Sequence, residues 1–285
     1  MEDIKIKIKP SSHANYHNNI KFHILPYFSN KKPTITLVSK FVKDKFESGL
    51  SAKTVHDLYS ILKQIVEYSN KSIDLDVPLP KINQGNFHVL DILTQKKLVS
   101  YISTSLDTAK LGVLIALYTG IRIGELSALT WQDIDFETGI LKVTKTLQRI
   151  KNTTDTGKKT RIIIDTPKSK KSIRDIPIPQ FLLDILKDYM PNCPDSYVLT
   201  GTRKYMEPRT YQGKFKDYLE CAGIDDIPFH TTRHTFATRA IELGMDIKTL
   251  SEILGHSSVR FTLERYVHSS NETKKKSMDK FILDY

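Results

Sequence analysis

The sequence predicts an α+β protein: an all-helical front domain, then a mainly helical α/β domain with a small antiparallel sheet. Apolar residues recur at helical spacing in residues 11–69, whereas three segments within residues 140–178 have the composition of strands. Residues 74–86 hold two prolines and a glycine with little periodicity, which is typical of a linker. We therefore expect a helical domain at 1–73, a linker at 74–86 and the α/β domain at 87–285.

Three helices are expected in the front domain. They run from Ser11 to about Phe28, from about Thr34 to Ser48, and from Ser51 to Ser69. Ser51 is a plausible N-cap for the third helix, because its hydroxyl can accept a backbone N–H of the first turn. The apolar stripe expected on that helix comprises Val55, Leu58, Tyr59, Leu62, Ile65 and Val66. Residues 2–9 alternate Ile with Lys, as a short strand or a basic arm would.

The back domain alternates helices with a central group of strands. Strands are expected at Ile140–Leu147, Thr160–Thr166 and Ile173–Ile178, joined by a polar loop (KNTTDTGKK) and a Lys-rich turn (PKSKKS). Helices are expected at Leu106–Tyr118, Arg122–Leu129, Phe181–Tyr189, Tyr211–Ala222, Thr231–Leu243, Ile247–Leu254 and Val259–Tyr266. A tail with Lys274, Lys275 and Lys276 closes the chain.

Basic residues indicate an anionic partner. Lys and Arg total 43 against 32 acidic residues, which leaves a net charge of +11. Nucleic acid, a structural role and anionic lipid are all compatible with this excess. Residues 1–121 contain no arginine, so the front offers point charges and the back offers forked guanidinium groups that grip two phosphate oxygens. An AT-rich genome would explain the Lys-only front equally well.

Several classes of protein are disfavoured. The longest apolar run, Leu111–Tyr118, is far shorter than the roughly 20 residues of a transmembrane helix, and the N-terminus is charged. We expect a cytoplasmic protein. Cys193 and Cys221 lack the spacing of a disulfide framework or zinc site. We therefore expect neither a disulfide scaffold nor a structural metal site, and we expect no redox cofactor.

Three segments concentrate chemically useful side chains. Arg122 lies in an apolar setting three residues before Glu125, so a structural ion pair is one explanation. His230 and Arg233 share a helical face and could contact one oxyanion, although His-x-x-Arg is a short and common pattern. The third segment places His256 after a helix end and Tyr266 ten residues later. A tyrosine at such a position more often has a buried ring and a hydroxyl that contacts water.

Motifs for metal-dependent phosphoryl transfer are missing from the sequence. It has no GxxxxGK[ST] loop and no clustered acidic set, and we expect Asp133 and Asp135 to face solvent. Metal-free phosphate chemistry needs cationic side chains to neutralise the transition state. A tyrosine nucleophile costs roughly 4 kcal/mol to ionise at pH 7, and neighbouring cations offset part of this.

These segments resemble the tyrosine recombinases, or phage integrase family. The resemblance rests on TGIRIGEL, TPKSKKSIRDIPIP, HTTRHTFATRAIELG, ILGHSS and TLERYVH, in family order, over most of residues 87–268. The front resembles, more loosely, the family's SAM-like core-binding domain. The resemblance implies a site-specific DNA recombinase, most simply a mobile-element integrase, in which Tyr266 forms a 3′-phosphotyrosyl link without ATP or metal.

The resemblance also implies individual roles. Arg122 and Arg233 would clamp the phosphate, Lys168 would protonate the leaving 5′ oxygen, and His230 and His256 would assist proton transfer. Glu125 would support the site, while His234 and His268 would pack or hydrogen-bond. DNA contacts are expected from Lys53, Thr54, Lys170 and Lys171.

Duplex DNA is the implied partner, bound by a homotetramer that exchanges C-terminal segments, with accessory bending or excision factors.

Only about ten residues precede the front helices, so the chain is either a two-domain recombinase or a piece of a larger integrase. A dimer-resolving recombinase, a type IB topoisomerase and a DNA-binding protein with a decayed site are the alternatives.

Overall fold

The protein is described by a computed structural model that covers residues 8–29, 31–69, 75–82, 88–152, 157, 159–167 and 170–266. It divides into two compact units. The front unit comprises Met1–Asn86 and Arg149–Arg161, and the back unit comprises Phe87–Gln148 and Ile162–Tyr285. Residues 2–7 of the alternating Ile/Lys segment, Lys168, His268 and the Lys-rich tail lie outside the described residues.

Helices build the front unit. They are α1 (Pro10–Asn19), a π-helical turn (Ile20–Ile24), α2 (Leu25–Phe28), α3 (Ile35–Glu47) and α4 (Ala52–Ser69). The predicted cap of α4 is present, since the Thr54 backbone N–H donates to Ser51 Oγ at 3.2 Å. The Tyr59 hydroxyl donates to the Leu75 carbonyl oxygen at 2.8 Å inside the core. The predicted stripe is buried except at Ile65, which is 37% exposed, while Ile61 is buried instead.

The first predicted helix is interrupted. The chain widens into the π-helical turn at Ile20–Ile24, where the Leu25 N–H donates to the Ile20 carbonyl. Pro26 follows directly and has no N–H to continue the regular ladder. A wider turn accommodates this loss, which the pattern of apolar residues does not reveal.

Most of the back unit is helical. It contains α5 (Ile92–Thr104), α6 (Thr108–Thr119), α7 (Ile123–Ala128), α8 (Gln180–Asp188), α9 (Pro208–Cys221), α10 (His230–Glu242), α11 (Ile247–Leu254) and α12 (Val259–Tyr266). Its centre is α6, whose side chains are buried almost all round. Trp131 is 1% exposed and stacks on Phe136 with ring centroids 6.5 Å apart.

The described residues also form two small sheets, the second of which includes residues 149–151 and 160–161 of the front unit. Strands β1 (Ile134–Asp135), β2 (Ile140–Val143) and β5 (Arg174–Pro177) form one antiparallel sheet in the order β1-β2-β5. Strands β3 (Thr146–Lys151) and β4 (Thr160–Asp165) form the other. The predicted α+β class with a small antiparallel sheet is thereby confirmed.

Two more local predictions are wrong, and one helix was not predicted. Helix α5 was not expected; Asp91 Oδ1 caps it by accepting the N–H groups of Leu93 and Thr94, both at 2.9 Å. The single strand expected at 140–147 is divided into β2 and β3. Asp133 does not face solvent, since its Oδ2 accepts from the Thr130 hydroxyl at 2.6 Å and pairs with Lys145 Nζ at 3.0 Å.

Asp135 likewise has a structural role. Its Oδ1 accepts the backbone N–H groups of Glu137 and Thr138, both at 3.0 Å, and so closes the turn between β1 and β2. Within the described ranges, no helix is both long and apolar enough to cross a bilayer.

Candidate active site

A buried carboxylate fixes the first arginine. Arg122 is the N-cap residue of α7, and its backbone N–H donates to Glu125 Oε2 at 3.0 Å. Its guanidinium Nη1 donates to Glu125 Oε1 at 2.8 Å, and Nη2 donates to the Gly255 carbonyl at 3.3 Å. The Arg122 side chain remains partly exposed, so a ligand can still reach it.

A second arginine shares this carboxylate. Arg174 of β5 donates from Nη1 and Nη2 to the two Glu125 oxygens, at 3.1 and 2.9 Å. It also donates to the carbonyl oxygens of Ser172 and Ile253, which connects the sheet to the end of α11. Burial would raise the pKa of Glu125, but Arg174 and Arg122 outweigh burial and hold the pKa below its usual value. Glu125 therefore stays ionised at neutral pH.

Backbone carbonyls hold the third arginine. Arg233 of α10 is 2% exposed and donates to the Gly120 carbonyl at 2.7 Å and to the Leu254 carbonyl at 2.6 Å. Gly120 ends α6 in a left-handed conformation, which directs this carbonyl at the guanidinium. Burial, with Arg122 and Arg174 nearby, lowers the pKa of Arg233, yet a guanidinium keeps its proton at neutral pH. Excess positive charge therefore collects here.

Two predicted histidines are neutral at physiological pH. Burial, then Arg233, Arg122, Arg174 and Arg265, lower the pKa of His256 to about 3. His230 is exposed at the surface, yet desolvation by its neighbours, followed by Arg233, Arg265 and Arg122, lowers its pKa to about 4. Thr262 Oγ1 lies 2.8 Å from His256 Nδ1 and orients that ring. A neutral imidazole in each position can still donate one N–H and accept one proton.

Tyr266 is the last residue of α12 and is buried. Desolvation raises the pKa of its hydroxyl, while Arg233, Arg265 and Arg122 act in the opposite direction. Its oxygen lies 2.7 Å from His234 Nδ1, and its ring stacks parallel to His256 with centroids 6.4 Å apart. The buried hydroxyl therefore lies in a cationic environment.

Five of the six predicted catalytic residues thus cluster where α11 ends at the Leu254–His256 turn. The sixth, Lys168, lies outside the described residues. Nearby, Lys170 and Lys171 lie in a short 3-10 helix, and Lys171 Nζ donates to the Ser257 carbonyl at 3.1 Å. The remaining predicted DNA-binding residues, Lys53 and Thr54, lie in the first turn of α4 in the front unit.

Sequence reasoning missed two arginines and underrated one histidine. Arg174 occurs in a strand whose alternation makes it an inward residue, and a buried arginine needs a carboxylate. That signal could have paired it with Glu125. Arg265 directly precedes the tyrosine, and its Nη2 lies 3.4 Å from His234 Nε2. The contact of His234 with the Tyr266 hydroxyl is tertiary and has no sequence signature.

This arrangement is suited to binding an anionic substrate and attacking it with a nucleophile. Arg122 and Arg233 supply charge, neutral imidazoles can transfer protons, and Tyr266 supplies a hydroxyl nucleophile. In the described parts of the chain, no group of three or more His, Cys, Asp or Glu side chains is arranged to hold a metal ion.

Comparison with curated proteins gives relatives across nearly the whole chain. A "Tyrosine recombinase XerC-like" protein of Caldanaerobacter subterraneus is 28% identical, covering 94% of this chain and 76% of its own length. The "ICEBs1 integrase" of Bacillus subtilis is 26% identical, covering 97% and 78%. The "Tyrosine recombinase XerA" of Pyrococcus furiosus is 30% identical, covering 81% and 75%.

Solved structures share the fold. The Tn1549 transposon integrase (residues 82–397) in complex with circular intermediate DNA superposes with a TM-score of 0.78 at 22% identity, covering 98% of this chain and 96% of the other. A lambda integrase (75–356) dimer bound to a COC′ core site has a TM-score of 0.65 at 17% identity, covering 99% and 95%.

Family models agree with these relatives. The phage integrase N-terminal SAM-like domain matches residues 1–32. The phage integrase family model matches residues 91–273, which is more than half of the chain and includes the whole arginine, histidine and tyrosine cluster. The chain therefore belongs to the phage integrase family of tyrosine recombinases, which are DNA strand-transferring enzymes.

Proposed function

We propose that the protein is a site-specific recombinase that integrates and excises a mobile element, with Tyr266 as its nucleophile. The observation that carries this proposal is the buried Tyr266 hydroxyl in a site lined by Arg122 and Arg233. Arg122 is fixed by Glu125 yet partly exposed, so it can bind a phosphodiester without first reorganising, while the buried Arg233 adds positive charge to the site. Family membership adds the reaction class.

The proposed cleavage is a transesterification. The Tyr266 oxygen bonds to phosphorus as the bond from phosphorus to the 5′ oxygen breaks, which leaves a 3′-phosphotyrosyl link and a 5′-hydroxyl. Arg122 and Arg233 bind the non-bridging oxygens, and Lys168 protonates the leaving 5′ oxygen. His230 and His256 assist proton transfer. Attack by another strand's 5′-hydroxyl reverses the step, so the bond energy is kept.

Duplex DNA is the proposed substrate, gripped by a core-binding domain at 1–73 and a catalytic domain at 87–285, joined by a linker. We place Lys53 and Thr54 of α4, with Lys170 and Lys171, on the DNA. Four subunits assemble on paired sites through C-terminal segments, and bending or excision factors regulate direction. The protein accordingly acts at the nucleoid.

Contacts on α4 can be tested by binding at several salt concentrations. Lys53→Ala should weaken binding similarly for all sequences and lower the slope of log affinity against log salt by about one. The matched control is Lys43→Ala on α3, since both lysines are exposed and each pairs with a carboxylate four residues later. An unchanged slope for Lys53→Ala contradicts its assignment.

Catalysis can be tested with a duplex nicked near the cleavage position, so that the covalent complex accumulates. We expect a denaturant-resistant adduct with the wild type and none with Tyr266→Phe. The adduct should form equally well in EDTA. No wild-type adduct on the element's own junction, or an equal one with Tyr266→Phe, refutes the assignment.

A second candidate is resolution of chromosome or plasmid dimers, which the XerC-like and XerA relatives favour. The two functions differ in substrate and not in chemistry. Recombination of paired element ends supports the integrase, whereas recombination restricted to a chromosomal resolution site supports the alternative.

A further inference from the structure

A histidine outside the expected catalytic set contacts the nucleophile. His234 Nδ1 lies 2.7 Å from the Tyr266 hydroxyl oxygen, which is a full hydrogen bond. His234 is 5% exposed and Tyr266 is 8% exposed, so water does not compete freely at this contact. His234 also packs edge-on against His230 with ring centroids 4.6 Å apart. The contact is therefore buried and oriented from two sides.

The direction of this hydrogen bond follows from the opposite side of the ring. Arg265 Nη2 lies 3.4 Å from His234 Nε2. A guanidinium has donors only, so Nε2 must present its lone pair to Arg265. A neutral imidazole then carries its hydrogen on Nδ1, and that N–H donates to the Tyr266 oxygen.

We propose that His234 is a further catalytic residue, whose Nδ1–H holds the Tyr266 oxygen in place and stabilises it as its proton leaves. The proposal rests on the proposed function, because it assigns a role toward the same nucleophile. With Nδ1 already protonated, His234 does not take up the tyrosyl proton. That proton passes to another acceptor, either a phosphate oxygen of the substrate or one of the neutral imidazoles assigned to proton transfer, His230 and His256.

The surrounding charges are consistent with a neutral donor. Burial, then His230, Arg265 and Arg233, lower the pKa of His234 to about 3. A second charge would be costly there, whereas a neutral N–H still stabilises a phenolate. The groups that face Tyr266 and its partner His234 are Arg122, Arg233, Arg265, His230 and His256, with Arg174 behind them.

Three substitutions separate this role from packing. His234→Phe keeps a flat ring but removes the donor, His234→Asn places an amide N–H near the Nδ1 position, and His234→Gln places it nearer Nε2. Adduct formation on the nicked duplex should fall about ten- to hundred-fold with Phe, since a hydrogen bond to an ionising group is lost. Asn should restore most of the rate, and Gln should not.

The pH profile provides a readout that packing would not change. Without the donor, the Tyr266 pKa rises, so the rate limb that reports tyrosine ionisation should move to higher pH with Phe and return toward the wild type with Asn. A Phe variant with wild-type rate and profile overturns the proposal. Equal losses in the Phe and Asn variants, with unshifted profiles, also overturn it.

The tautomer can be tested without DNA. Nitrogen-15 NMR of the histidine rings in the full chain, assigned with the His234→Phe variant, should show the Nδ1–H tautomer at pH 7. An Nε2–H tautomer or an imidazolium contradicts the proposal. If the wild type forms no adduct, the proposed function fails, while this measurement still tests the hydrogen bond directly.

Discussion

Replacing Glu125 by Gln removes the carboxylate shared by Arg122 and Arg174. Four donors converge on it, three guanidinium N–H groups and one backbone N–H, between 2.8 and 3.1 Å. A glutamine keeps one acceptor oxygen and directs an amide N–H at a guanidinium, so about two charge-assisted hydrogen bonds are lost. At about 1.5–3 kcal/mol each, the loss agrees with the about 3–5 kcal/mol cost of breaking a buried ion pair.

Activity should fall as well. Arg122 loses the anchor that fixes its guanidinium, and a displacement near 1 Å in a catalytic group can cost about a hundred-fold in rate. Urea unfolding followed by circular dichroism measures the stability, and adduct formation on the nicked duplex measures the rate. Sulfate should stabilise Glu125→Gln more than the wild type, because an anion can partly replace the missing charge.

The matched control is Glu242→Gln. Glu242 also pairs with an arginine, Arg239, three residues away, but the glutamate is half exposed. Its loss should cost under about 1 kcal/mol. If Glu125→Gln is no more destabilising than Glu242→Gln, the buried carboxylate does not hold the arginines together and the reasoning is refuted.

Three further predictions concern stability. In urea unfolding, Gly255→Ala should be more destabilising than Gly49→Ala. Both glycines have positive φ, but of the two only position 255 would bring an added Cβ close to other atoms, at 2.9 Å from Arg174 Cδ. Equal losses of unfolding free energy would exclude a steric role for Gly255. The folded pKa of His234, near 3, lies below its unfolded value of about 6.5, so stability is lost as pH falls through that interval. Between pH 7 and pH 5, the free energy of unfolding of His234→Asn should therefore fall by about 2 kcal/mol less than that of the wild type. Identical pH dependence of the two proteins would contradict the low folded pKa. Tyr59→Phe should cost about 1 kcal/mol through its lost buried hydrogen bond. Tyr205→Phe should cost nearly nothing, because the site is 40% exposed and a phenylalanine keeps the ring contact with Tyr197; equal effects would argue against the Tyr59 bond.

Local patterns were sufficient to predict much of the fold. Helix α4 has its N-cap and its apolar stripe within one continuous segment, so the cap and the apolar periodicity predict the same helix. Helix α11 begins at Ile247 and ends at Leu254 as expected, because Asp246 caps its start and Gly255 terminates it. Helix α5 was not predicted because its apolar residues do not form one stripe: Leu98 and Ile102 are buried, whereas Ile92 and Leu93 are exposed.

The site was predictable in its composition but not in its connections. The motif residues Arg122, Arg233 and Tyr266 were named from sequence, and they remain assignments for mutagenesis to test. Arg174 and Glu125 meet from positions 49 residues apart, a distance at which no local pattern operates. Long-range hydrogen bonds of this kind depend on how the strand and helix ends converge in three dimensions.

Trp131 gives the protein an internal reporter. It is the single tryptophan of the chain, and it is fully buried beside Phe136 in the back unit. Its emission should therefore be blue-shifted in the native state and move to longer wavelength when the back unit unfolds. The front unit contains tyrosines and no tryptophan, so excitation at the red edge of the absorption band follows one unit only. Comparison of that signal with circular dichroism would show whether the two units unfold together.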